Sequence, residues 1–122
     1  MKIIKYICLF FVTILLVGLF SFQSKKETML PTKLRITVID GLGNFVEGAT
    51  VSIYISEDDY RESKNALDSA KTDEKGRALF KDLSPIPYFI DARKADLKND
   101  AEGVQTAPLE EGKLNKVNTI ID

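Results

Sequence analysis

The chain has 122 residues, 17 of them basic and 18 acidic, with no histidine and a single cysteine. Without histidine it lacks the side chain best suited to proton transfer near neutral pH and the commonest metal ligand, so a Ser-His-Asp triad is excluded. Setting aside Lys2 and Lys5 leaves 15 basic against 18 acidic residues, a balance of −3 that gives no footprint for nucleic acid.

Lys2 and Lys5 lead into an uncharged stretch, Tyr6 to Ser24, rich in Ile, Leu, Val and Phe, which stops at Lys25-Lys26. A positive region followed by an apolar one predicts an N-terminal hydrophobic helix over residues 1–24, either a secretory signal peptide or an uncleaved membrane anchor. Its length is close to the roughly 20 residues that span a bilayer. Ser21 or Ser24 offers a small residue before a cut, but Leu19 or Phe22 then sits two residues earlier, where a small side chain is preferred. Either way the cationic end stays in the cytoplasm and the remainder is exported, to the periplasm, the cell surface or the medium. Cys8 lies near the start of the run, so lipid attachment at its end is not expected and the exported part has no disulfide, thiol nucleophile or cysteine metal site. Residues 25–32 mix charge, Pro31 and small polar groups as a tether does. Residues 33–122 then have the size of one small domain.

Within that domain "KLRITVID" sets Leu34, Ile36 and Val38 against Arg35 and Thr37, the period of two of a strand with one wet face. "GLGN" turns the chain, with Gly41 and Gly43 free to take positive φ and Asn44 tolerant of it. "ATVSIYIS" alternates Val51, Ile53 and Ile55 with Ser52, Tyr54 and Ser56 and predicts a second strand. The charged stretch after it predicts an exposed loop with room for one helical turn, Ser56 followed by Asp59 resembling an N-cap. Leu67–Thr72 and "RALFK" predict a hairpin about "DEKG", with Gly76 at the left-handed position. Pro85 and Pro87 mark a corner. "YFIDARK" resumes the alternation, Ala95 to Gly112 reads as a long loop with a short strand around Val104 to Thr106, and "NKVNTIID" closes the domain with Val117, Thr119 and Ile121 on one face. About seven short strands without a long 3.6-residue period predict an all-β, antiparallel sandwich.

"VIDGLGNFVEGATVSIY", "TDEKGRALFKDL" and "YFIDARK" together resemble the carboxypeptidase regulatory-like domains, a transthyretin-like, Ig-like β-sandwich family of exported bacterial proteins. The matching positions are Gly43, Asn44, Val46, Gly48, Ala49, Thr50 and Val51, then Thr72, Asp73 and Gly76, then Tyr88. Phe45 stands where that family has proline, and Ile86-Pro87 where it has proline-glycine. The residues have structural reasons of their own: Gly48-Ala49 is expected to allow close backbone approach, and Asp73 with Gly76 to cap a tight turn. Pilin-type domains of the same architecture carry a lysine-to-asparagine isopeptide bond, with the lysine where Val38 stands here. Only Lys33 with Asn115 or Asn118 offers a substitute.

No catalytic residue, metal site or cofactor is predicted, and the ligand is not written in the residues. Glu57, Asp58 and Asp59 read as a solvated loop tip, because calcium needs six to eight converging oxygens. Asp96, Asn99, Asp100 and Glu102 lack the alternating spacing of a calcium loop. Tyr54 and Tyr60 are the aromatic pair that could stack on a sugar, whereas Phe80 and Tyr88 are expected in the core. The expected function is a non-catalytic module that binds or structures something at the cell envelope, an unidentified envelope protein or polysaccharide, touching the membrane only through its N-terminal segment. Two alternatives stay open: a hydrolase using paired carboxylates, and a pilin-like subunit assembling through a strand edge.

Overall fold

The computed structural model of the protein describes residues 30–100 and 103–122. The predicted leader, most of the tether and Glu102 lie outside these residues. Two sheets are formed. The first holds β4 (Arg77–Phe80), β1 (Lys33–Asp40) and β7 (Leu114–Ile121), with β1 in the middle; the second runs β3 (Asp68–Lys71), β2 (Thr50–Tyr54), β5 (Phe89–Lys94), β6 (Leu97–Lys98). One short helix, α1 (Glu57–Glu62), connects β2 to β3.

Alternation decides which side chains meet. Leu34, Ile36 and Val38 of β1 are wholly buried, as are Val51 and Ile53 of β2, Ile90 and Ala92 of β5, and Ile121 of β7. With Phe80 and Tyr88 they make one apolar layer between the sheets. Each large member contributes about 1.5–3 kcal/mol relative to exposure. Both expected core aromatics, Phe80 and Tyr88, are in it.

The sequence predicts antiparallel pairing throughout, but β1 and β7 run parallel, from Lys33 opposite Leu114 to Asp40 opposite Ile121. Period-two alternation is the same for either direction. The long connection a parallel pair needs is supplied by the chain's passage through the second sheet. Ile55 continues the parity of β2 but lies beyond its end, 55% exposed, because Ser56 already caps α1. Ser56 Oγ accepts from the Asp59 amide at 3.1 Å. The expected strand at Val104 to Thr106 is a single bridge, Gln105 opposite Phe89, and the two-residue β6 has no sequence signal.

Two turns use one device. Asp40 Oδ1 accepts from the amides of Leu42 and Asn44, both at 2.9 Å. Asp73 Oδ1 accepts from Lys75 and Arg77 at 2.9 and 3.0 Å. In each the third residue on is a glycine at positive φ, Gly43 at 86° and Gly76 at 71°. Close backbone approach occurs at Gly76 rather than at Gly48, where an added Cβ would meet nothing within 4 Å. At Gly76 it would lie 2.6 Å from the Val38 carbonyl oxygen and 3.1 Å from the Val46 nitrogen; at Gly43 it would again meet nothing within 4 Å. Gly43→Ala therefore carries only the left-handed conformational cost, about 1–2 kcal/mol. Gly76→Ala adds a clash with rigid backbone and should lose about 2 kcal/mol more. Urea unfolding of both variants checks this; equal losses would show that the clash relaxes away.

Candidate functional site

The outer face of the four-stranded sheet carries the aromatic pair singled out in the sequence. Tyr60 of α1 lies edge-on to Tyr54, ring centroids 6.0 Å apart, and stacks on Phe89 at 5.9 Å. Tyr54 is only 4% exposed. The rings spend their faces on one another, so Tyr54 is covered by α1 and does not form an open platform with Tyr60. Burial raises the Tyr60 pKa above its ordinary value, and the charges of Asp91 and Asp100 add to it.

The acidic candidates diverge. Glu57 pairs with Arg61 at 2.6 Å, and Asp59 Oδ1 accepts from Asn65 Nδ2 at 3.3 Å. Among the described residues no three acidic side chains converge as metal ligands. Asn99, considered above as a calcium ligand, is instead wholly buried. Its Oδ1 accepts from the Ala92 amide at 3.0 Å, and its Nδ2 donates to the Ile90 carbonyl at 2.9 Å and to Thr119 Oγ1 at 3.1 Å. No local pattern announces this role, because the backbone groups it serves come from β5.

The remaining buried polar groups are likewise committed to the fold. Thr72 Oγ1 donates to the Val46 carbonyl at 2.6 Å and accepts from the Ala49 amide at 2.9 Å, stitching the start of β2 to the turn before it. The Tyr88 hydroxyl donates to the Ser84 carbonyl and accepts from the Ser84 amide, both at 3.0 Å, which closes the proline corner. For the isopeptide reading, Val38 stands opposite Thr119, and Lys33 opposite Leu114. The Asn115 amide nitrogen donates to the backbone carbonyls of Lys33 and Glu110, and Asn118 is exposed opposite Thr37.

A second surface emerges only once the strands are paired. On the outer face of the three-stranded sheet, Leu79, Arg35 and Lys116 form one row, and Arg77, Thr37 and Asn118 the next. Lys33 and Leu114 lie at one end, Ile39 and Ile120 at the other, with Phe45 bridging to Ile39. Leu79 is 45% exposed, Leu114 42% and Phe45 62%. No carboxylate projects from this face: the one acid in the three strands, Asp40, closes its turn. Arg35 Nε is buried with no hydrogen-bond partner among the described residues. At the Lys33 end a shallow hollow of about 180 Å³ is lined by Leu30, Pro31, Lys33, Gly112, Lys113 and Leu114. The sequence held half of this signal in the alternation of Lys33 with Arg35; the row itself needs the parallel register.

The sequence matches no family model and no curated protein. Among solved structures the fold is similar to part of the Bacillus anthracis TIE protein, with a TM-score of 0.55 and 24% identity, over 76% of this chain and 16% of that one. It is also similar to BcpA, the major pilin subunit of Bacillus cereus, with a TM-score of 0.46 and 15% identity over 76% of this chain and 30% of that one. A third likeness, to hydroxyquinol 1,2-dioxygenase from Pseudomonas putida, has a TM-score of 0.44 and 9% identity over 80% of this chain and 58% of that one. The chain thus corresponds to a minor part of the first two proteins. The likeness to the TIE protein bears on the fold alone.

Replacing Asn99 by Ala strands the Ala92 amide and the Ile90 carbonyl in the interior, which should cost about 2–4 kcal/mol. Chemical unfolding measures it, and a loss under about 1 kcal/mol would mean that water takes over the site. Backbone donation holds two carboxyls below their ordinary value of 3.8, Asp40 mainly through Asn44 and Asp73 mainly through Arg77. Groups with a depressed folded pKa contribute stability that is present above the unfolded value and lost as pH falls through the folded one. Melting temperature should therefore fall with pH below about 3.8, and the double variant Asp40→Asn/Asp73→Asn should show a flatter acid limb. An unchanged limb would assign acid sensitivity to other groups.

Proposed function

We propose that the protein is a non-catalytic, exported β-sandwich module that acts by binding or by structure at the cell envelope, and that its sandwich is of the carboxypeptidase regulatory-like, transthyretin-like kind. The observation that carries the non-catalytic reading is where the polar groups go. Asn99, Thr72 and Tyr88 end on backbone atoms of the fold, and every described carboxylate reaches the surface. A hydrolase working with paired acids needs one carboxyl with a raised pKa. The two carboxyls with a resolved shift, Asp40 and Asp73, are shifted the other way.

The family reading draws support from the positions of its motifs. Thr72 joins Val46 to Ala49, Asp73 and Gly76 form the turn that carries the chain from β3 in one sheet to β4 in the other, and Tyr88 closes the corner before β5. Export rests on the cationic, then apolar leader read in the sequence. Three of the four sheet edges are short, β3 and β4 with four residues each and β6 with two, so assembly through a strand edge would have to use β7, the eight-residue edge of the three-stranded sheet. The expected outcome is a single cooperative melting transition with no turnover on glycosidase, esterase and peptidase substrates. Hydrolysis abolished by one Asp or Glu substitution would reverse the reading.

A further inference from the structure

The outer face of the three-stranded sheet sets four cations, Lys33, Arg35, Arg77 and Lys116, on a chain whose overall charge is negative. Asp73 interacts electrostatically with Arg77 but its Oδ1 is taken up by its own turn. Leu79 and Leu114 stand among the cations and are exposed. A soluble polyanion would satisfy the charges and leave these leucines in water. A second copy presenting α1 would offer acids, but Glu57 is already paired with Arg61 and no residue of that helix is buried. A bilayer interface meets both needs, with phosphates for the cations and the boundary between headgroups and acyl chains for the leucines.

Position agrees with chemistry. The tether of residues 25–32 separates the apolar segment from Lys33, the first residue of β1 and itself on this face. Thr32 is already held in the fold, its carbonyl accepting from Leu83 and its hydroxyl from Gly112, so residues 25–29 make the connection and span at most about 18 Å. A connection of that length keeps the Lys33 end of this face next to the membrane, where the sheet can lie against it. We propose that this face docks on anionic phospholipid headgroups, with Arg35, Arg77 and Lys116 binding phosphate and Leu79 and Leu114 entering the interface. The proposal rests on the exported-module reading and adds a membrane contact beyond the N-terminal segment.

The test uses the full chain, residues 1–122, made cell-free into nanodiscs, with Cys8→Ser and a fluorophore on Leu79→Cys. A parallel sample carries the fluorophore on Ser69→Cys, on the outer face of the other sheet. Quenching by a lipid-borne spin label is compared between discs of phosphatidylcholine alone and discs containing phosphatidylglycerol. Each cation near an anionic surface contributes about fivefold in partition. Quenching at position 79 should accordingly rise at least about fivefold in the anionic discs, vanish at high salt, and be lost in Arg35→Glu/Lys116→Glu, while position 69 stays unquenched. A cooperative melt confirms that the double variant folds, and Lys116→Glu alone, at an exposed position, should give a partial loss. Equal quenching at position 79 in both lipids, or none in either, overturns the proposal. So does energy transfer between two chains in one disc that is indifferent to lipid charge, which would make a second copy the occupant. Turnover decides the non-catalytic reading, so the two fail separately.

Discussion

A strand at the flank of a sheet must find partners for its N–H and C=O groups, and in this sandwich the flank of β5 is where backbone partners run short. β6 pairs only with Arg93 and Lys94. Beyond it the Asn99 side chain stands in for a strand, accepting from Ala92 and donating to Ile90. The Val104 carbonyl then receives the Ile90 amide at 2.7 Å, and Thr106 exchanges bonds with Tyr88. Because Asn99 also reaches Thr119 on β7, one amide both completes the second sheet and fastens it to the first. These bonds satisfy the backbone groups of β5 that no strand reaches.

On the opposite side the same economy is met by two aspartate turns that interlock. The Val38 amide donates to the Gly76 carbonyl at 2.7 Å, and the Val38 carbonyl accepts from Val46 at 3.0 Å. The end of β1 is thus gripped by both turns at once, with Thr72 tying the strand that follows. With polar side chains committed to holding backbone, what is left for recognition is the surface. There the two sheets differ in their acids: the strands of the three-stranded sheet carry Lys33, Arg35, Arg77 and Lys116 with Asp40 as their one acid, whereas Asp68 and Asp91 stand among the cations of the four-stranded sheet.

Much of this was legible in the residues. Strands β1, β2, β5 and β7 follow from alternation, and the two turns from Asp and Gly at fixed spacing, because both signals are local; the hairpin expected about "DEKG" does not form, since β3 pairs with β2 and β4 with β1 in the other sheet. What escaped is what depends on distant partners. The direction of β7 leaves no trace in its alternation. Ile55 has the right parity and the wrong address, since Ser56 had already begun a helix. Asn99 reads as one more polar residue in a polar loop, and its burial is decided by unpaired groups on β5. The cationic face was half visible in Lys33 and Arg35, but joining Lys116 to them required the parallel register.

The parallel pairing of β1 with β7 has a mechanical consequence. The two strands are eight residues each and lie side by side with the same polarity. Tension applied between the start of β1 and the end of β7 pulls them lengthwise past one another, so the whole ladder bears load together instead of opening like a zipper. A domain strung between an anchorage and a cargo would resist extension through those two strands first.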